Sequence, residues 1–231
     1  MNAIILCAGH GTRLRPLTYY LSKAMVPVAG VPVIEHIIVR LRDHGFDEQI
    51  IALSWMADQV THYLGDGSRL GVQIQYSINT EPSGTAGEVH NLRELLEGEE
   101  HILVHYGDIL TNLDVRGLAD EHLERQPTAT LGFVTGIAFH AGVAEVADDG
   151  TVLSFVEKPP IEKPTNAAVF ALSRRALDYC GPGRDFSRDV FPELIAAGEV
   201  VRGFVDREAW WIDVGRLSDL ERANEFLGGG H

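Results

Sequence analysis

Met1-Asn2-Ala3-Ile4-Ile5-Leu6-Cys7-Ala8-Gly9-His10-Gly11-Thr12-Arg13-Leu14-Arg15-Pro16-Leu17-Thr18 opens the chain. The run from Ala3 to Ala8 is apolar throughout and ends at glycine, the pattern of a strand buried on both faces of a parallel sheet. Beyond it the chain is glycine-rich at Gly9 and Gly11, then basic at Arg13 and Arg15. Glycine lets backbone N–H groups come close to phosphate oxygens, and a guanidinium fork meets them bidentately. Open α/β sheets bind their ligands beyond the carboxyl ends of such strands. The loop is therefore expected to hold a nucleoside triphosphate.

Spacing excludes two common phosphate loops. No G-x-x-x-x-G-K-[ST] string occurs, and Gly9-x-Gly11 lacks the third glycine of a dinucleotide-binding turn. Working outward, Pro32 to Gly45 has proline at a first helical turn, helical apolar spacing and glycine at the exit. Gln49 to Leu53 reads as a strand, Met56 to Leu64 as a helix, and Gly71 to Ser77 alternates with period two. Thr85 to Leu96 reads as a helix and His101 to Tyr106 as an apolar strand. Strands alternating with helices over residues 1–125 predict an α/β fold with a doubly wound, mainly parallel, Rossmann-like sheet in three αβα layers. Residues 126–231 are richer in strands: Thr128 to Ile137, then Val143 to Val156 about an Asp148-Asp149-Gly150 turn, then Asn166 to Leu172. Helices are expected at Ser187 to Ala197 and Arg216 to Leu227. No linker interrupts the chain, so one domain over residues 1–231 is expected.

At 231 residues and 45% hydrophobic, the chain can build a sizeable core. No apolar run approaches the roughly 18–20 residues that span a bilayer, and no basic stretch precedes the first apolar run as in a secretory signal. Cys7 and Cys180 are too few for a disulfide framework, and a cytoplasmic protein is expected. The net charge of −14 argues against nucleic acid and against an anionic membrane as partners. Phosphates can approach such a chain only where cations gather. Lys23, Lys158 and Lys163 are the only lysines, and the first two fall in motif-like strings. The ten histidines are scattered, and a zinc site is not expected.

His105-Tyr106-Gly107-Asp108 places an aspartate at the end of an apolar strand, and Trp210-Trp211-Ile212-Asp213-Val214-Gly215 repeats the arrangement. Together Asp108 and Asp213 are candidate ligands of Mg²⁺, which takes a few carboxylates with phosphate oxygens and water. Taken singly, each reads equally well as a helix cap or turn residue. Glu81-Pro82-Ser83-Gly84-Thr85-Ala86-Gly87 leads into the helix that begins at Thr85. A carboxylate only accepts hydrogen bonds, so Glu81 suits a base edge with two adjacent donors, as on guanine, whereas uracil and thymine offer one. Its alternative role is to cap the turn that follows.

In order along the chain, G-x-G-T-R-x-x-P-x-T, Lys23, E-P-x-G-T-A-G, G-D, E-K-P at Glu157 to Pro159, N-A at Asn166, and W-x-D-x-G resemble the signature set of the sugar-1-phosphate nucleotidylyltransferases. The resemblance runs from residue 1 to about 227 and is nearest to short bacterial mannose-1-phosphate or heptose-1-phosphate guanylyltransferases, catalytic domain only. It implies a nucleotide held around Leu6, Ala8, Gly9, Gly11, Thr12, Arg13, Lys23, Glu81, Gly84, Thr85 and Ala86. It implies a sugar phosphate at Gly107, Glu157, Lys158 and Asn166, in the second half of the chain for all but the first. Arg13, Lys23 and Asp108 would be catalytic, with Mg²⁺ on Asp108 and Asp213. The implied reaction joins a nucleoside triphosphate, GTP in first place, to a sugar 1-phosphate and releases pyrophosphate. UTP or dTTP is the alternative nucleotide, and a non-catalytic nucleotide-sugar-binding subunit is the alternative role; a homodimer is the default assembly. The sequence departs from the family pattern at Ala24, which replaces a proline and predicts a looser loop, and at Ala168, which replaces a glycine beside the sugar. His105 and Tyr106 stand where the family more often has Leu and Asn. Sugar choice is expected to turn on Glu157, Asn166 and residues 139–142.

Overall fold

The segment Asn2–Cys7 forms β1, near the middle of a seven-stranded sheet. The computed structural model describes residues 1–138 and 141–229. The other strands of the sheet are β2 (Glu48–Leu53), β3 (Gln73–Ile78), β4 (His101–Tyr106), β5 (Ala129–Val134), β6 (Thr165–Ser173) and β7 (Val201–Asp206). Their spatial order is β7-β5-β6-β4-β1-β2-β3. Every neighbouring pair is parallel except the two made by β6, which runs antiparallel to both β4 and β5. The mainly parallel α/β architecture expected from the sequence is the one that forms.

Among the described residues six α-helices cover the sheet: α1 (Val33–Asp43), α2 (Ala57–Leu64), α3 (Thr85–Asn91), α4 (Val115–Arg125), α5 (Phe191–Ala196) and α6 (Leu217–Gly228). Alternation along β1 explains its continuous apolar run. Ala3 and Ile5 enter one core layer with side chains of α1, α2, α4 and α6, while Ile4 and Leu6 enter the other with α3 and α5. Helices on both faces complete three layers.

Several boundaries differ from the sequence reading. The helix expected to reach Leu96 stops at Asn91 and continues as turns, yet Leu92 and Leu96 stay buried, so the apolar period outlasts the helix. The helix expected from Ser187 opens with a wide π-turn, Phe186–Val190, capped where the Asp185 carboxylate accepts from the N–H groups of Ser187 and Arg188. α4 and β7 carry no strong sequence signal: α4 has a glycine in its first turn, and β7 is a partly exposed edge strand. Val143–Val146 pairs antiparallel with Val152–Val156 as the hairpin expected around Gly150. This ribbon stands off the main sheet, and its large apolar side chains are 45–66% exposed. Two-stranded ribbons of that kind are marginal in water by themselves. None of the described helices is long and apolar enough to cross a membrane.

Candidate active site

A cavity of ≈370 Å³ opens where β1 and β4 end. Leu6, Ala8, Gly9, Gly11, Thr12, Arg13 and Lys23 line it from the N-terminal segment, Gly84 and Thr85 from the start of α3, and Gly107 and Asp108 from beyond β4. Gly11 takes a left-handed conformation, φ +62°, and a β-carbon there would lie 2.9 Å from Thr18 Cγ2. The Thr18 hydroxyl donates to the Gly11 carbonyl at 2.7 Å and closes the loop. Gly107 is required by close approach: its N–H donates to the Leu6 carbonyl at 2.9 Å, and any side chain would strike Cys7 Sγ.

The loop around Lys23 does not need the absent proline. Ser22 N–H donates to Gln59 Oε1 at 2.8 Å, and Gln59 Nε2 donates to the Tyr20 carbonyl at 2.9 Å, so a side chain of α2 tethers the segment. Ala24 is 3% exposed and forms part of the cavity wall.

Asp213 lies on the short strand Trp211–Asp213, which pairs antiparallel with Ile109–Thr111 directly after Asp108. The Val214 N–H donates to the Asp108 carbonyl at 2.8 Å and locks the two segments side by side. Lys23 Nζ donates to Asp108 Oδ2, while Arg13 Nη2 stands 3.9 Å from Asp213 Oδ2. Burial, and then the negative charge of Asp108, push the Asp213 carboxyl above its ordinary range; Lys23 and Arg13 offset this in part. Asp213 Oδ1 is buried without a hydrogen-bond partner. Two adjacent carboxylates, one with an orphaned oxygen, suit a hard divalent cation. Among the described residues no cluster of three or more His, Cys, Asp or Glu side chains could hold a metal. Any cation here would therefore draw its remaining ligands from water and phosphate.

Not every expected residue reaches the cavity. Glu81 is exposed and does not line it, because the loop is tied down at Ser83 and leaves the Glu81 side chain in solvent. The acid that this segment brings to the cavity wall is Glu88, 3% exposed, which sequence reading missed. Its signal was position alone: one helical turn beyond Gly84, on the face that α3 turns inward. Ala86 is fully buried in the core and not in the wall. Glu157 and Lys158 are exposed and lie just past the ribbon, outside the cavity lining. Asn166 Oδ1 accepts from the Ala168 N–H at 2.8 Å, and its Nδ2 donates to Ser187 Oγ at 3.3 Å. Tyr106 lines the cavity, and burial pushes its phenol up to about 12. Asn166 is not among the residues that line the cavity. Ala168, where the family has glycine, adopts φ +57°, and the β5–β6 register shifts between Asn166 and Phe170. His105 is 2% exposed, hydrogen-bonded through Nδ1 to the Tyr106 carbonyl at 2.8 Å and lowered to about 4 by burial, so it is a neutral core residue. Of residues 139–142, Phe139 and His140 lie outside the described residues.

The chain is similar to a mannose-1-phosphate guanylyltransferase of Mycobacterium tuberculosis, 34% identical over 98% of this chain and 64% of that protein. It is also similar to a UTP–glucose-1-phosphate uridylyltransferase of Synechocystis, 32% identical over 96% of this chain and 62% of that protein. It therefore spans less than two thirds of the length of these relatives. Among solved structures, HddC from Yersinia pseudotuberculosis, complexed with GMP-PN, superposes with a TM-score of 0.78 at 26% identity, over 98% of this chain and 99% of that one. The family model described as nucleotidyl transferase matches residues 2–229, and the chain belongs to that family.

Proposed function

We propose that the protein is a sugar-1-phosphate nucleotidylyltransferase that joins a nucleoside triphosphate, GTP in first place, to a sugar 1-phosphate and releases pyrophosphate. The observation that carries this reading is the convergence of Arg13, Lys23, Asp108 and Asp213 around one cavity in a chain of net charge −14. A site that gathers cations against the overall charge is built for a polyanion. The guanylyl- and uridylyltransferase relatives support the reaction class. The cytoplasm, where nucleoside triphosphates are made, is the compartment that suits it.

Asp108 and Asp213 would hold Mg²⁺, which would supply charge neutralisation on the triphosphate when bound. The glycine loop would fix the phosphates through its backbone, and Arg13, which lines the cavity, would face the β- and γ-phosphates that leave as pyrophosphate. Lys23, held by Asp108, is positioned to turn toward the α-phosphate. An oxygen of the sugar phosphate forms a bond to the α-phosphorus in line as the bond to pyrophosphate breaks. No general base is needed, since the attacking phosphate is ionised at neutral pH. The residues therefore contribute alignment and charge rather than covalent chemistry. Glu157 and Lys158 would meet the sugar phosphate from the foot of the ribbon.

Pyrophosphate release, measured across four nucleoside triphosphates and a panel of sugar 1-phosphates, tests the proposal. Turnover with at least one pair is expected, falling about 10²–10³-fold in Arg13→Ala. A protein that binds nucleotide and turns over no pair would be a regulatory subunit instead. In Lys158→Ala the KM for sugar 1-phosphate should rise while that for nucleotide stays put.

A further inference from the structure

Glu88 is an unusual group to find in a cavity meant for phosphates. Its carboxylate is buried, and its partners are all neutral: Oε1 accepts from Ser83 N–H at 2.8 Å and Ser83 Oγ at 3.2 Å, and Oε2 accepts from Asn79 Nδ2 at 2.6 Å. A carboxylate offers about four acceptor sites, so these three donors leave one open, on Oε2. A buried anion with an unfilled acceptor site is costly, and a neutral N–H donor placed there is favoured. A second triphosphate charge would be repelled. The cations of the cavity, Arg13 and Lys23, come from the N-terminal segment, whereas Glu88 shares its stretch of wall with Pro82, Gly84 and Thr85. One part of the cavity thus suits polyanions and another suits a neutral ring that donates a hydrogen bond.

We propose that Glu88, rather than the exposed Glu81, is the base-reading residue, and that its open acceptor site selects nucleotides whose base carries a ring N–H. Guanine presents N1–H and uracil or thymine presents N3–H; adenine and cytosine present a lone pair at the corresponding ring nitrogen and are rejected. This rests on the nucleotide-site reading of the cavity and narrows it to a class of base. It also accounts for a buried acid in the cavity wall whose partners are all neutral, unlike Asp108, which is paired with Lys23.

Calorimetric titration of GDP, UDP, ADP and CDP into the whole protein with Mg²⁺ provides the test. Wild type is expected to bind GDP or UDP at least about 10-fold more tightly than ADP or CDP, the discrimination of one good base contact. In Glu88→Gln, whose amide can turn a donor to adenine or cytosine, that gap should shrink about 10-fold. A gap that persists in the variant, or an equal loss for all four nucleotides, would show that Glu88 only props the loop and would overturn the assignment. A second measurement needs no variant: methylation at N1 of GDP, or N3 of UDP, should cost wild type about 10-fold or more. Undiminished binding of the methylated nucleotide would equally overturn it. Binding of none of the four diphosphates would instead remove the nucleotide site itself, an outcome distinct from binding that ignores the base.

Discussion

Asp213 shows how a single side chain can be arranged for a ligand at the expense of the fold. One of its oxygens is buried without a partner, and Asp108 lies beside it. Replacing it with asparagine removes that uncompensated charge. Asp213→Asn should raise the melting temperature of the metal-free protein while lowering turnover at least about 10²-fold; a lower melting temperature would show that the carboxylate is already satisfied. Ala168 holds strain of another kind. A left-handed conformation costs an L-residue roughly 1–2 kcal/mol, against about 0.5–1 kcal/mol for the extra chain entropy of glycine. Ala168→Gly should therefore stabilise by about 0.5 kcal/mol in urea unfolding, and Ala168→Val should destabilise. At this scale the residues picked out from their immediate neighbours in sequence, Gly11, Arg13, Lys23 and Asp108, all line the cavity. Sequence does not separate Glu81 from Glu88, both acids beside the same glycines, because only packing against Asn79 and Ser83 decides which of them is buried.

Elements tell a similar story. β1 is legible because a strand buried on both faces must be apolar throughout, whereas β7, an edge strand, has no such constraint. α4 depends on a cap, the Asp114 carboxylate accepting from Gly117 N–H at 2.9 Å, more than on a continuous apolar stripe. The tether from α2 to the Lys23 loop was invisible in sequence, since Gln59 lies far along the chain from the residues it holds. Gln59→Ala should free that loop without disturbing the core. Its kcat/KM for nucleotide is expected to fall about 10-fold, with a far-ultraviolet circular dichroism spectrum like wild type, because small misplacements of aligned groups are costly. An unchanged kcat/KM would mean that the loop is held by its own turns.

Across the whole molecule, acid should act through histidines sealed in the core. His122 is fully buried, with Nε2 3.1 Å from His101 Nδ1 and Nδ1 2.9 Å from Thr130 Oγ1; burial, and then the neighbouring His101, lower it to about 4. His105 is lowered to about 4 as well. The unfolded chain takes up these protons near pH 6.5, the folded chain only near pH 4, so stability is full above pH 6.5 and declines as pH falls toward 4. Urea midpoints between those limits should drop steadily, with a shallower slope in His122→Asn; a flat wild-type profile would contradict the burial. The order of the strands carries a further consequence. β6 sits between β5 and β4 and is the one strand of the described seven-stranded sheet running against its neighbours, yet it follows both in the chain. During synthesis β4 must wait with one row of amides unpaired until residue 173 has left the ribosome. For that interval the nascent protein resembles an open edge awaiting its mate, and chaperone demand or misassembly should track the translation rate across this stretch.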